Sequence, residues 1–111
     1  MICEPGAVVV VPFPFSDLPL AKPRPALVLS SAQANAEMGQ TLMAMITSAA
    51  RSHWSNDVEI TGLTEAGLRQ PSMVRWKLFT IDNRLIARSA GSLSDTDRST
   101  MATAARALIA L

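Results

Sequence analysis

Arg24 is the residue of this sequence best placed for chemistry at an anion, because it stands between Pro23 and Pro25 just ahead of the apolar run Ala26-Leu27-Val28-Leu29. The flanking prolines stiffen the backbone on both sides and narrow the directions the guanidinium can take. A fork of donors held in this way suits two oxygens of one phosphate. Taken alone, an Arg-Pro pair reads as a surface arginine lying over a sheet edge. Its company changes that reading. Thr47 and Ser48 close a second apolar run, and Ser72, Arg75 and Lys77 punctuate a third. If the first two runs are antiparallel neighbours, the start of one lies beside the end of the other, and Arg24 comes near Thr47. The guanidinium would hold a phosphate while the hydroxyl adds a hydrogen bond as charge develops, which is a phosphodiester site in outline.

The elements that must position these groups follow from the apolar pattern. Residues 7–11 are a β-branched run that ends in Pro-Phe-Pro-Phe, which cannot continue a central ladder. Residues 26–30 and 41–48 show no alternation over their apolar centres, so both predict strands covered on two faces. Between them, residues 31–37 are compatible with a helix but short for one, and Gly39 ends them. Residues 57–60 alternate as an edge strand does, and residues 64–67 predict one capped helical turn. Over residues 72–78, Val74, Trp76 and Leu78 share one face, while Arg75 and Lys77 make the other basic. A short strand near residues 86–90 precedes Ser94, which caps a last helix. There Asp97, three residues on, imitates a capping box, and Asp95 and Asp97 sit at the positive end of the helix dipole. Met101, Ala104, Ala105, Leu108 and Leu111 form a stripe at helical spacing, a pattern that predicts core packing. The fold class is α+β, mainly β: a small, strongly bent antiparallel sheet, partly closed into a barrel, with a C-terminal helix.

A chain of 111 residues is expected to form a single domain over residues 1–111. Much of its 49% hydrophobic content is alanine, and only two Trp and three Phe supply aromatic bulk. Association into a homodimer is therefore a natural source of further burial. The lone Cys3 excludes an internal disulfide and a multi-cysteine zinc site, and fits a reducing cytoplasm. The apolar run at 7–11 is too short to span a membrane, so a cytoplasmic protein with no membrane contact is expected. The formal net charge is +1, so any contact with nucleic acid must come from a local cluster rather than an overall basic field.

Two connections could flank Arg24. The Pro-rich stretch 13–23 carries Phe15 and Lys22, and either covers a site or plugs the end of the core with its phenylalanines. The loop 49–56 carries Arg51, His53 and Trp54. His53, the only histidine, could transfer a proton from this loop, although a lone loop histidine reads first as solvated. Trp54 could stack on a base, and Trp76 reads as core. The expected substrate contacts are Phe15, Lys22, Ser48, Arg51, His53, Ser72 and Arg75. No metal ligand set and no cofactor motif is apparent.

These residues, taken in order, resemble the MazF/PemK toxins of bacterial type II toxin–antitoxin pairs. The resemblance runs from Glu-Pro-Gly-Ala-Val-Val-Val-Val-Pro-Phe-Pro-Phe through Arg-Pro-Ala-Leu-Val-Leu-Ser and Ile-Thr-Ser to Pro-Ser-Met-Val-Arg and Thr-Ile-Asp-Asn-Arg-Leu, and ends at Gly-Ser-Leu-Ser before the closing helix. It implies an SH3-like barrel, a homodimer, and a metal-independent endoribonuclease that cuts single-stranded RNA or mRNA at short sequences, inhibiting translation and growth. The ribose 2′-hydroxyl would attack the adjacent phosphate, leaving a 2′,3′-cyclic phosphate and a 5′-hydroxyl. It also implies a cognate antitoxin protein as partner. Arg24 and Thr47 match the family's catalytic arginine and threonine. Two positions depart from the pattern: Ala7 follows Gly6 where an aspartate is usual, and Lys77 follows Trp76 where an acid is common. Two other readings share the barrel: a gyrase-poison-like inhibitor without enzymatic activity, and a catalytically degraded binding module.

Overall fold

The computed structural model describes residues 1–12, 22–50 and 53–111. Phe15 and Arg51, with nearly all of the connection 13–23, lie outside the described residues. The strands are β1 (Ala7–Pro12), β2 (Pro23–Val28), β3 (Gln40–Ser48), β4 (Val58–Glu59), β5 (Ser72–Asp82) and β6 (Arg88–Ser92). The helices are α1 (Ala32–Met38), α2 (Leu63–Ala66) and α3 (Asp95–Leu108), with a 3₁₀ turn at Asn83–Leu85. The strands form one antiparallel sheet in the order β4-β5-β3-β2-β1-β6, curled into a half-barrel, as the pattern predicts.

Both faces of the sheet are covered, which is why its central strands read as unbroken apolar runs. Side chains alternate between two clusters. Val9, Val11, Ala26, Val28, Met43, Phe79 and Ile81 fill the curled face with Cys3 and Ile86. Val8, Leu27, Ala44, Ile46 and Val74 fill the other, where Leu93 and Met101 bring α3 down onto the sheet. Trp76 and Leu78 join this second cluster with Val74, as their spacing predicts. Each such buried aliphatic side chain contributes on the order of 2 kcal/mol.

The short helix α1 is better specified than its length suggests. Ser31 caps it through Ala34 N–H, and Gly39 closes it in the left-handed region at φ 69°. Asn35 is fully buried, and it donates to the Cys3 carbonyl at 3.0 Å. Asn83 donates to the Asn35 carbonyl and accepts from Thr41 Oγ1, at 2.8 and 2.7 Å. This buried polar network ties α1 to the segment before β1, to β3 and to the turn after β5, so a seven-residue segment that would be marginal alone is held by tertiary contacts.

Two expectations for the last helix need correction. Ser94 does cap α3, accepting from Asp97 N–H at 3.2 Å, but Asp97 turns away to the segment before α2. Its carboxylate accepts from Thr61 N–H at 3.0 and 3.1 Å, from Thr61 Oγ1 at 2.7 Å and from Gly62 N–H at 2.8 Å. A buried carboxylate needs several donors, and this segment supplies them from two backbone N–H groups and a hydroxyl. The stripe is buried only at Met101; Leu108, 42% exposed, lines an open cleft with Asn56 and Trp76, and Leu111 lies beyond the helix.

Asp97 is 2% exposed. Burial pushes its carboxyl up, but the hydrogen bonds from Gly62, Thr61 and Ser94 together carry it below the usual value. A lowered folded pKa means that the unfolded chain binds more protons over that interval, so this stabilisation is complete above the ordinary carboxylate pKa and is lost as pH falls through the lower folded value. Asp97→Ala should therefore cost about 2–3 kcal/mol at neutral pH. Urea unfolding at neutral and acid pH will also show a flatter acid-side loss in the variant than in the wild type.

Candidate functional site

The ladder between β2 and β3 pairs Ala26 with Met45 and Val28 with Met43. Followed two residues towards the start of β2, the same register brings Arg24 level with Thr47. Alternation puts both on the curled face, with Ala26 and Met45. Arg24 is half-buried. Thr47 is 6% exposed, and its hydroxyl has no hydrogen-bond partner among the described residues. A buried donor left without a partner is costly, and Thr47 Oγ1 shares that condition with Trp76 Nε1.

Ser48 and Ser72 are Cα partners across β3 and β5, one residue beyond the Thr47–Met73 pair. They therefore belong to the opposite face. Ser72 is nearly buried and donates to the Gln70 carbonyl at 2.8 Å. Lys22 is exposed just ahead of β2. Thus the register, extended two residues beyond its last pair, assigns Arg24 and Thr47 to one face and Ser48 and Ser72 to the other.

Arg75 lies elsewhere than a solvent-facing basic stripe would put it. It is 7% exposed, with Nε 3.2 Å from Asp57 Oδ1 and Nη2 2.9 Å from Oδ2. Trp54 lies over the guanidinium at 4.7 Å and donates its backbone N–H to Asp57 Oδ2 at 2.7 Å. The cause is the edge ladder: pairing Val58 with Val74 carries Asp57 alongside Arg75. Burial pushes the Asp57 carboxyl up, but the hydrogen bonds from Arg75 and Trp54 and the charges of Arg75 and His53 bring it below the usual value. The result is a clamp that holds residues 54–57 and presents the Trp54 ring half-exposed. His53 is exposed, and its Nε2 lies 3.0 Å from the Ala49 carbonyl oxygen, close after Thr47 in the chain.

Where β2, β6 and the segment after α2 meet, a groove of about 640 Å³ is lined by Arg24, Arg69, Arg88, Gln70 and Ser72 over a floor that includes Val10 and Pro25. Arg69, Arg88 and Asp57 escape a sequence reading because no local spacing relates them to Arg24 or Arg75. Only cross-strand register does so. Among the described residues no three His, Cys, Asp or Glu side chains cluster as metal ligands, and no helix is long and apolar enough to cross a membrane.

A family profile described as the PemK-like, MazF-like toxin of type II toxin-antitoxin systems matches residues 4–111. A comparison with curated protein sequences finds no match. Among solved structures, MazF from Deinococcus radiodurans superposes with a TM-score of 0.76 at 18% identity, covering 100% of this chain and 99% of its own. An endoribonuclease in complex with its cognate antitoxin, from a mycobacterial species, gives 0.76 at 15% identity, covering 98% and 96%. The Mycobacterium tuberculosis toxin MazF-mt6 gives 0.72 at 22% identity, covering 95% and 97%.

The clamp makes its own prediction. Asp57→Ala leaves Arg75 buried without its carboxylate and should cost about 3–5 kcal/mol, whereas the pair Asp57→Leu with Arg75→Met, which leaves no charge unpaired, should cost far less. Urea unfolding will compare the two. In a Trp76→Phe background, the emission of Trp54 should shift on losing the clamp.

Proposed function

Since the chain belongs to the PemK/MazF-like family of type II toxins, we propose that it is an endoribonuclease cutting single-stranded RNA by attack of a ribose 2′-hydroxyl on the adjacent phosphate. The observation that supports this reading is a buried Thr47 hydroxyl without a partner, on the face to which the β2–β3 register assigns the half-buried Arg24. As the 2′-oxygen bonds to phosphorus and gives up its proton to water, and the 5′-oxygen leaves and takes one up, negative charge grows on the non-bridging oxygens. A guanidinium fork and a hydroxyl donor stabilise that charge more than they stabilise the bound substrate, which lowers the barrier. Arg24 acts electrostatically, its planar fork of donors matched to two phosphate oxygens. Neither role calls on a metal ion.

Trp54, held over Arg75, provides a face on which a base can stack, and exposed Lys22 and His53 stand near the ends of the strands that carry Arg24 and Thr47. The end of α3, with Leu108 and Ile109 exposed, supports a homodimer that covers them. The mycobacterial endoribonuclease crystallised with its cognate antitoxin supports a protein inhibitor for this chain as well. A cytoplasmic site of action is proposed with the family.

RNA incubated with the protein in EDTA should yield fragments with 5′-hydroxyl ends; intact RNA would leave a non-enzymatic inhibitor or a binding module as the better reading. Arg24→Ala and Arg24→Lys should both lose at least about a hundredfold in rate, the latter because an ammonium cannot reproduce the fork. Thr47→Val should lose a similar factor yet unfold no more readily than the wild type, since it deletes a buried hydroxyl that satisfies nothing in the protein. A Thr47→Val protein with full activity, or one that loses activity only by unfolding, would remove the hydroxyl from the mechanism.

A further inference from the structure

From the groove beside Arg24 we infer that Arg69 and Arg88 form a second phosphate subsite, which takes the RNA backbone as it leaves the point of cleavage. The inference rests on the endoribonuclease reading and adds to it a path for the substrate on the opposite face of the sheet from Thr47.

The first argument is electrostatic. The whole chain carries 10 basic and 9 acidic side chains, so cations and anions are nearly balanced. Among the described residues that line this groove they are not: Arg24, Arg69 and Arg88 are there and no carboxylate is. Three of the nine acids are engaged elsewhere. Asp57 pairs with Arg75 and Asp82 with Arg84, and Asp97 is consumed by Thr61 and Gly62. Neither Arg69 nor Arg88 has an ion pair among the described residues. A concave surface lined by one sign of charge concentrates its field and draws the opposite charge to it.

The second argument is that the groove is built. Gly67, at φ 71°, lies so close to β6 that a Cβ there would come within 2.1 Å of the Ala90 carbonyl oxygen. Gly91 answers it from the other side, where a Cβ would stand 2.3 Å from the Glu65 carbonyl oxygen. Two missing side chains thus let the end of α2 seat directly on β6, which brings Arg69, just after Gly67, to the same groove as Arg88, just before Ala90. Arg88 is held in turn by its pairing with Val10, whose other neighbour is Pro25. Ser72 fixes the intervening turn through the Gln70 carbonyl.

The third argument concerns the occupant. Guanidinium forks match phosphate oxygens two at a time. The lining offers no large exposed apolar side chain into which a peptide could anchor. Arg24 belongs both to this groove and to the candidate centre, so a strand cut at Arg24 is already at the groove's mouth.

The test is the salt dependence of RNA binding, measured on a Thr47→Val protein so that the RNA stays whole. For single strands each phosphate contact contributes about 0.7 to the slope of log K against log salt. Arg69→Ala with Arg88→Ala should lower the slope by about 1.4, and the loss should vanish on an RNA shortened to the two nucleotides at the cut. Arg84→Ala, which removes an exposed arginine away from the groove, should leave the slope unchanged. An unchanged slope in the double variant, or the same drop in the Arg84 variant, overturns the subsite while leaving cleavage at Arg24 standing. So does a double variant that binds RNA normally but loses an acidic peptide, which assigns the groove to a protein. Wild-type protein that cuts no RNA overturns the enzymatic reading and the subsite with it.

Discussion

The register of β3 is the constraint on which the rest of the structure depends. This strand pairs along its whole length with β5 and, over Met43 to Met45, with β2. Both its faces are buried, with Met43 in one cluster and Ala44 and Ile46 in the other. A slip of one residue would exchange the two sets, sending Thr47 to the face of Ser48 and away from that of Arg24. Core packing and the geometry of the proposed centre are therefore one requirement. The hydroxyl proposed for chemistry needs no separate device to hold it in place.

The register shift between Ala44 and Met45 is the one interruption of this ladder, and it has a use. Arg75 comes opposite Met45, while Leu78 remains opposite Ala44, so Trp76 and Lys77 have no Cα partner of their own on β3. Such an irregularity bends the strand and increases local twist, which helps a six-stranded sheet to curl. On its other edge β5 meets β4, whose pairing at Val58 and Val74 sets Asp57 beside Arg75. Curvature and the clamp that presents Trp54 thus both depend on β5.

The distribution of charge is equally a product of folding. Three aspartates are tied into the framework. Asp97 fastens α3 to the segment before α2, Asp57 holds the 54–57 turn, and Asp82 caps the 3₁₀ turn at Arg84 N–H. Asp57 and Asp97 are buried and demand such partners, and Asp82 is held by Arg84, so these acids are tied away from the groove that Arg24, Arg69 and Arg88 line. A nearly neutral chain acquires a locally cationic groove in this way. Exposed arginines interact weakly with distant acids across salt water, so the segregation carries little penalty for stability.

What the chain's own pattern determined is whatever depends on nearest neighbours. Unbroken apolar runs announce strands covered on both faces, alternation at Val74, Trp76 and Leu78 assigns their face, Ser94 marks a helix start, and the order of short motifs names the family. Arg24 and Thr47 were legible as a pair because one antiparallel pairing relates them. Tertiary structure decided the rest. The fate of Arg75 turned on Asp57, 18 residues away, and that of Asp97 on donors at Thr61 and Gly62. The groove turned on two glycines in contact across elements, and the exposure of Leu108 on the open cleft it lines with Asn56 and Trp76. Side-chain type limits what a residue can bond. Which partner it meets depends on cross-strand register, bulges and helix seating, which are set by the packing of the whole core and have no signature in local spacing.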